Sequence, residues 1–229
     1  MRRVLALSIA SYAASGCGTD AEVLLCTAAS TSAVVEIEIE GQPVCLGTVI
    51  DPQWALTAKH CVQPPGADAP FASSAIRLWA EDARAHDVVG VEVLGGRYES
   101  LGAISGRDIA LLKLTVSSTT LVDIAETMPT DSSHACVVLT DDIKQPEAVT
   151  IHATQPRSIY VDGVTCPGDS GGPLLTTDGE LLGVASWRTL GTCGTGLSVF
   201  TRLDAHRAWM DAVVDNDASE TSSRFAIVE

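Results

Sequence analysis

The chain has no internal repeat, no heptad pattern and no glycine-rich stretch placed to cradle a phosphate, which sets aside solenoids, coiled coils and the common nucleotide-binding architectures. Basic residues are also few. Against 29 Asp and Glu there are 14 Lys and Arg, a formal net charge of −15. Such a surface repels nucleic acid and anionic headgroups, so no nucleic-acid partner is expected. The seven cysteines lack the paired spacing of a metal site, and neither a metal nor any other cofactor is expected. The apolar run within residues 1–16 is too short and too interrupted to span a bilayer.

That first segment has instead Arg2 and Arg3, then the apolar run, then small residues, which is the layout of an export signal over 1–16. Ala14-Ser15-Gly16-Cys17 resembles the lipobox of bacterial lipoproteins, whose cysteine is lipidated and becomes the new N-terminus. The first box position is Ala14 where Leu is usual, and a soluble secreted protein cut near the Ala-Ala-Ser run is the other reading. Both readings place the protein outside the cytoplasm, in the cell envelope on a lipid anchor or secreted. There the six cysteines left after Cys17 can pair.

Residues 17–33 read as a tether, 34–214 as one domain, and 215–229 as a polar, acidic, frayed tail. Val35, Ile37 and Ile39 alternate with Glu36, Glu38 and Glu40, the period of a strand with one wet face. Short apolar runs follow at 46–50, 54–58, 88–94, 109–115, 136–140, 147–153, 158–162, 173–176, 181–187 and 197–203, separated by Gly, Pro, Asp and Ser clusters. Only 58–62 and 204–214 read as helical. About eleven short strands predict an all-β sandwich or pair of barrels.

The chemistry centres on Cys166-Pro167-Gly168-Asp169-Ser170-Gly171-Gly172-Pro173. A serine hydroxyl is a poor nucleophile at neutral pH and needs a base within reach and a third group to orient the base. Among five histidines His60 stands apart, at the end of the apolar Trp54-Ala55-Leu56-Thr57 and beside Cys61. His86, His134, His152 and His206 lie in polar or strand-edge settings and read as ordinary surface or packing histidines. Asp108 sets a carboxylate at the mouth of Ile109-Ala110-Leu111-Leu112, where a charge is costly without a partner.

The segments LTAKHC, RDIALLKL and CPGDSGGPL, in that order, resemble the histidine, aspartate and serine segments of the trypsin/chymotrypsin-like serine peptidases, and the resemblance runs from about Val34 to Val214. It implies two six-stranded antiparallel barrels with a C-terminal helix. It also implies a serine endopeptidase acting on protein or peptide substrates, as a monomer. Ser170 would be the nucleophile, His60 the base and Asp108 its orienting acid, with the N–H groups of Gly168 and Ser170 forming the oxyanion hole. The substrate pocket would be built from Val164, Thr165, Ser186, Trp187, Arg188 and Ser198. Carried over in the same way, Cys45 would pair with Cys61 and Cys166 with Cys193. Cys26 and Cys136 are left, and a bridge between them, which sequence cannot settle, would staple the tether to the second barrel.

The chain departs from the family pattern in several places. Nothing upstream of Val34 resembles the apolar-Gly-Gly start whose amine supports the acid before the nucleophile, so Asp169 needs another partner, such as Arg157. Lys59 replaces the usual small residue, with its charge in solvent or near an acid. Val164 at the pocket floor disfavours cleavage after Lys or Arg, while Arg188 at the rim leaves small apolar and acidic side chains both open. Two other functions remain in view. One is a catalytically silent binding or regulatory protein on the peptidase fold. The other is an esterase, disfavoured because Pro173 and a strand follow the serine where an α/β-hydrolase elbow needs a helix.

Overall fold

The computed structural model describes residue 26 and residues 28–225 apart from 96, 99–104, 116–117, 119 and 190. The export segment and Cys17 lie outside the described residues. Among the described residues twelve strands form two closed barrels. The first contains β1 (Val34–Ile39), β2 (Gln42–Asp51), β3 (Trp54–Thr57), β4 (Ile76–Ala80), β5 (Ala85–Val93) and β6 (Ala110–Leu114). The second contains β7 (His134–Leu139), β8 (Asp142–Thr154), β9 (Ser158–Asp162), β10 (Pro173–Leu175), β11 (Leu181–Arg188) and β12 (Leu197–Arg202). Round the first barrel the order is β1-β2-β3-β6-β5-β4, and round the second β7-β8-β9-β12-β11-β10, all antiparallel. The architecture therefore repeats although the sequence does not, because a barrel strand requires only the period-two pattern and not particular residues.

Eleven of the strands fall on the apolar runs read from sequence. The twelfth, β4, follows a short 3-10 turn (Ser73–Ala75) and has the same alternation in miniature, with Ile76 and Leu78 buried and Arg77 exposed. In β1, Val35, Ile37 and Ile39 are buried as the alternation requires, and the carboxylate of Glu38 accepts a hydrogen bond from the Trp79 indole of β4 at 2.7 Å.

Some strands bury both faces. Ala135, Val137 and Leu139 of β7 enter the core of the second barrel with Ile151, Ile159 and Phe200. Their alternates Cys136 and Val138, with Leu181 and Val184 of β11, join the core of the first barrel instead. The two barrels thus share an apolar seam, and residues that position the site lie along it.

Helix α1 (Lys59–Val62) is a single turn after β3, and helix α2 (Arg207–Phe225) follows a 3-10 turn at Asp204–His206. The helix continues beyond Val214, where the sequence suggested a frayed tail. Asp217 on it pairs with Lys113 of β6, which ties this stretch to the first barrel. Among the described residues, no helix is long and apolar enough to cross a membrane.

Among the described residues three disulfides are present: Cys26–Cys136, Cys45–Cys61 and Cys166–Cys193. The first joins residues 110 apart and fastens the segment before the 3-10 turn at Ala28–Ala33 to β7. Closing so long a loop removes much chain entropy from the unfolded state, ~3–5 kcal/mol in the loop-entropy account. Replacing Cys26 and Cys136 together by alanine is expected to lower the unfolding free energy by about 2–5 kcal/mol. Urea titration of the double variant against the unaltered chain measures this.

Candidate active site

Asp108 lies just before β6, and its side chain is fully buried. A carboxylate there is tolerable only if its oxygens are occupied, and they are. The backbone N–H of His60 donates to Oδ1 at 2.9 Å. Its ring Nδ1 lies 2.7 Å from Oδ2, and the Ser186 hydroxyl donates to the same oxygen at 2.6 Å. Thr201 of β12 donates to the Asp108 carbonyl at 3.2 Å. With a carboxylate on one side, the proton of a neutral imidazole belongs on Nδ1, which leaves the Nε2 lone pair outward. The His60 side chain keeps 23% of its surface exposed, so that lone pair can be reached.

Ser170 is fixed through its backbone. Its carbonyl accepts the Leu46 N–H at 2.8 Å, and the next amide, Gly171, donates to Ala185 at 2.8 Å. Gly171 has φ of +81°, and a Cβ on it would overlap the Leu46 carbonyl and the Thr57 hydroxyl. Only glycine permits this approach of the serine loop to the end of β3, two residues before α1 presents His60. The side-chain hydrogen bonds of the site therefore link Ser186, Asp108 and His60, while Ser170 is pressed against the same strand end by main-chain contacts.

Preceding the serine, Gly168 adopts φ of +106°, a conformation that side-chain-bearing residues rarely take. Among the described residues no backbone acceptor takes the N–H of Gly168 or of Ser170. The loop is held by Asp169, which is 2% exposed. Its Oδ1 accepts the Thr140 N–H and hydroxyl, both at 2.7 Å, and its Oδ2 accepts the Cys166 N–H at 2.6 Å. The partner is thus not Arg157, whose carbonyl takes the Arg202 N–H at 3.0 Å and whose backbone packs against Gly106. Nothing in the local sequence marks Thr140 for this role, since it stands 29 residues from the acid it holds.

Of the two positions suggested by its charge, Lys59 does not take solvent. It is 4% exposed, and its ammonium donates to the carbonyls of Leu94 at 3.0 Å and Gly95 at 3.4 Å. Burial pulls its pKa down, partly offset by the Asp108 charge. Tyr98 lies over His60 with ring centres 6.2 Å apart, and burial, together with the Asp108 charge, pushes its phenol up to about 12. His206 is a packing histidine, donating from Nε2 to the Gly106 carbonyl at 2.6 Å on the approach to Asp108.

Beside Ser170 opens a cleft of about 290 Å³ lined in part by Thr165, Pro167, Ser186, Trp187 and Arg188. Two residues expected in it stand elsewhere. Ser198 is 1% exposed and lies behind Thr165, where its hydroxyl oxygen meets the N–H groups of Val164 at 3.1 Å and Thr165 at 3.0 Å. Val164 lines a separate cavity with Thr140 and Asp169. A β-pair between Arg188 and Ser198 puts both in the wall at the end of the β11–β12 ribbon. The Cys166–Cys193 bridge braces that wall. Among the described residues, the one cluster with metal-ligand proximity is Cys45, His60 and Cys61. Both sulfurs are spent in a disulfide, so the cluster has no thiolate to offer.

Two antiparallel six-stranded barrels meeting at a histidine, an aspartate and a serine in a glycine-rich loop define the chymotrypsin-like fold. The trypsin family model matches residues 25–138 and 132–210, and the chain belongs to that family. An uncharacterized peptidase of Corynebacterium glutamicum is 28% identical over 183 residues, 70% of this chain and 59% of that protein. The chain thus matches little more than half the length of that relative. A venom plasminogen activator of Gloydius brevicauda is 25% identical over 211 residues, covering 78% of this chain and 80% of the activator. Among solved structures, human heparin binding protein superposes with a TM-score of 0.66 at 21% identity, covering 83% of this chain and 94% of that one.

Two expectations follow from these contacts. Thr140→Val removes one hydrogen bond to a buried acid and is expected to lower the unfolding free energy by about 1–3 kcal/mol, whereas Thr140→Ser retains most of it, as read by urea titration. Burial, aided by the Arg157 and Arg107 charges, holds the pKa of His206 below its ordinary value, against the Gly106 carbonyl and the Asp204 charge. At pH below about 6.5 the unfolded chain therefore binds a proton that the folded chain resists, and stability falls as pH drops through that window. His206→Gln is expected to flatten the decline in urea midpoint between pH 7 and pH 5.

Proposed function

We propose that the chain is an exported serine endopeptidase that cleaves peptide bonds through an acyl-enzyme. The observation that carries this reading is the buried hydrogen-bonded series from Ser186 through Asp108 to His60, with a serine loop beside it whose acid is fully partnered. In this reading the Ser170 oxygen attacks the substrate carbonyl while His60 Nε2 takes its proton. Asp108 holds the tautomer and stabilises the imidazolium that forms. The N–H groups of Gly168 and Ser170 donate hydrogen bonds to the carbonyl oxygen as charge develops on it, worth ~3–4 kcal/mol for each such donor. His60 then returns the proton to the leaving amine, and water attacks the acyl carbon by the same route in reverse.

Asp169 bears on whether the loop is ready to act. Three uncharged donors from Thr140 and Cys166 occupy its carboxylate, so a newly freed terminal amine is not required as its partner. The catalytic unit corresponds to residues 34–214, and export, with lipid attachment at Cys17, rests on the sequence of residues 1–17. Three disulfides agree with a protein folded outside the reducing cytosol. Binding of a polyanion such as the heparin named for the structural neighbour is opposed by a net charge of −15.

A fluorophosphonate probe tests the reading directly. The purified chain is expected to be labelled at Ser170 at pH 8, and Ser170→Ala to lose the label. Turnover of a peptide substrate is expected to fall by about 10⁶ in Ser170→Ala or His60→Ala. Labelling of the unaltered chain no better than Ser170→Ala sinks the proposal.

A further inference from the structure

The cleft beside Ser170 presents hydrogen-bond donors and has no Asp or Glu among its lining residues. Arg188 stands in its wall, and its Nη1 is buried without a hydrogen-bond partner. The indole Nε1 of Trp187, also a lining residue, is likewise buried and unpartnered. Among the described residues Arg188 is the one charged residue that lines this cleft, so an acceptor seated against its guanidinium gains a charge-assisted hydrogen bond, stronger than an ordinary one.

The hydroxyls in the wall add a third donor. Ser198 Oγ accepts the N–H groups of both Val164 and Thr165, which occupies its two lone pairs. Its own proton must then go to Thr165 Oγ1, 2.8 Å away. Thr165 is left with a proton to donate, and Thr165 lines the cleft. Ser198 itself is 1% exposed and is not among the lining residues, so the donor offered to the cleft is the Thr165 hydroxyl.

From these observations we propose that the substrate residue seated in this cleft carries a carboxylate, as aspartate or glutamate, with Arg188 and Thr165 as the specificity-determining residues. The inference rests on Ser170 being the nucleophile, since that places the side chain next to the scissile carbonyl in the cleft. A small apolar side chain fits the volume but offers no acceptor to Arg188 or to the Thr165 hydroxyl. The net charge of −15 repels an acidic peptide at long range. Salt screens that repulsion beyond about 10 Å at 0.1 M, whereas the cleft contact acts at hydrogen-bond distance.

The test uses the full chain and peptide p-nitroanilides that differ only in the last residue: Glu, Gln, Asp, Asn or Ala. Glu against Gln, or Asp against Asn, isolates the charge at constant shape. For at least one acid, kcat/KM is expected to exceed that of its amide and of Ala by about tenfold or more, the scale of one charged hydrogen bond. Arg188→Gln is expected to bring the acid-to-amide ratio near one. Amide or Ala substrates cleaved as well as the acids overturn the proposal, as does an acid-to-amide ratio unmoved by Arg188→Gln. Fluorophosphonate labelling of the same preparation separates the two readings. Labelled protein without acid preference overturns the specificity alone, whereas unlabelled protein overturns the nucleophile assignment and the specificity with it.

Discussion

A carboxylate with no exposed surface, Asp108, sets the terms for everything around it. Removing such a group from water is tolerable only with hydrogen bonds to its oxygens, and these come from both halves of the molecule. His60 belongs to the turn after β3 in the first barrel, and Ser186 to β11 in the second. Thr201, on β12, holds the main chain of the same residue. The barrels must therefore meet at one particular orientation for the acid to be satisfied, and the apolar seam of Cys136, Val138, Leu181 and Val184 supplies the burial that keeps them there.

A second buried acid, Asp169, repeats this logic one loop away. Thr140 leaves the end of β7, a strand whose alternate residues serve two cores, and its amide and hydroxyl meet the Asp169 carboxylate. The β7 strand is also fastened by the Cys26–Cys136 bridge. Covalent constraint, two-sided burial and the geometry of the serine loop thus converge on one strand. Gly168 can keep its positive φ because the residue beside it is held on both carboxylate oxygens.

Much of this was legible in the chain. Period-two alternation placed eleven strands, since a strand with one buried face needs it wherever it occurs. It missed β4, where the pattern lasts only from Ile76 to Ala80. The strings around His60, Asp108 and Ser170 marked the site because their residue types are rarely assembled for any other reason. The bridges Cys45–Cys61 and Cys166–Cys193 came with them. Lys59, Thr140, Val164 and Ser198 were not legible in detail. Each depends on a neighbour brought by another loop: carbonyls at Leu94 and Gly95 for the lysine, an acid for Thr140, and each other for the pocket pair.

By itself, then, the sequence determined the class of fold and the segments that carry the candidate site, because hydrophobic period and residue chemistry are local properties. Tertiary structure alone decided which donors hold Asp169, where the Lys59 charge is buried, and which side chains face the cleft. Those outcomes turn on directions and distances of a few ångströms between segments remote in the chain. A hydrogen bond or a buried charge is decided at that scale.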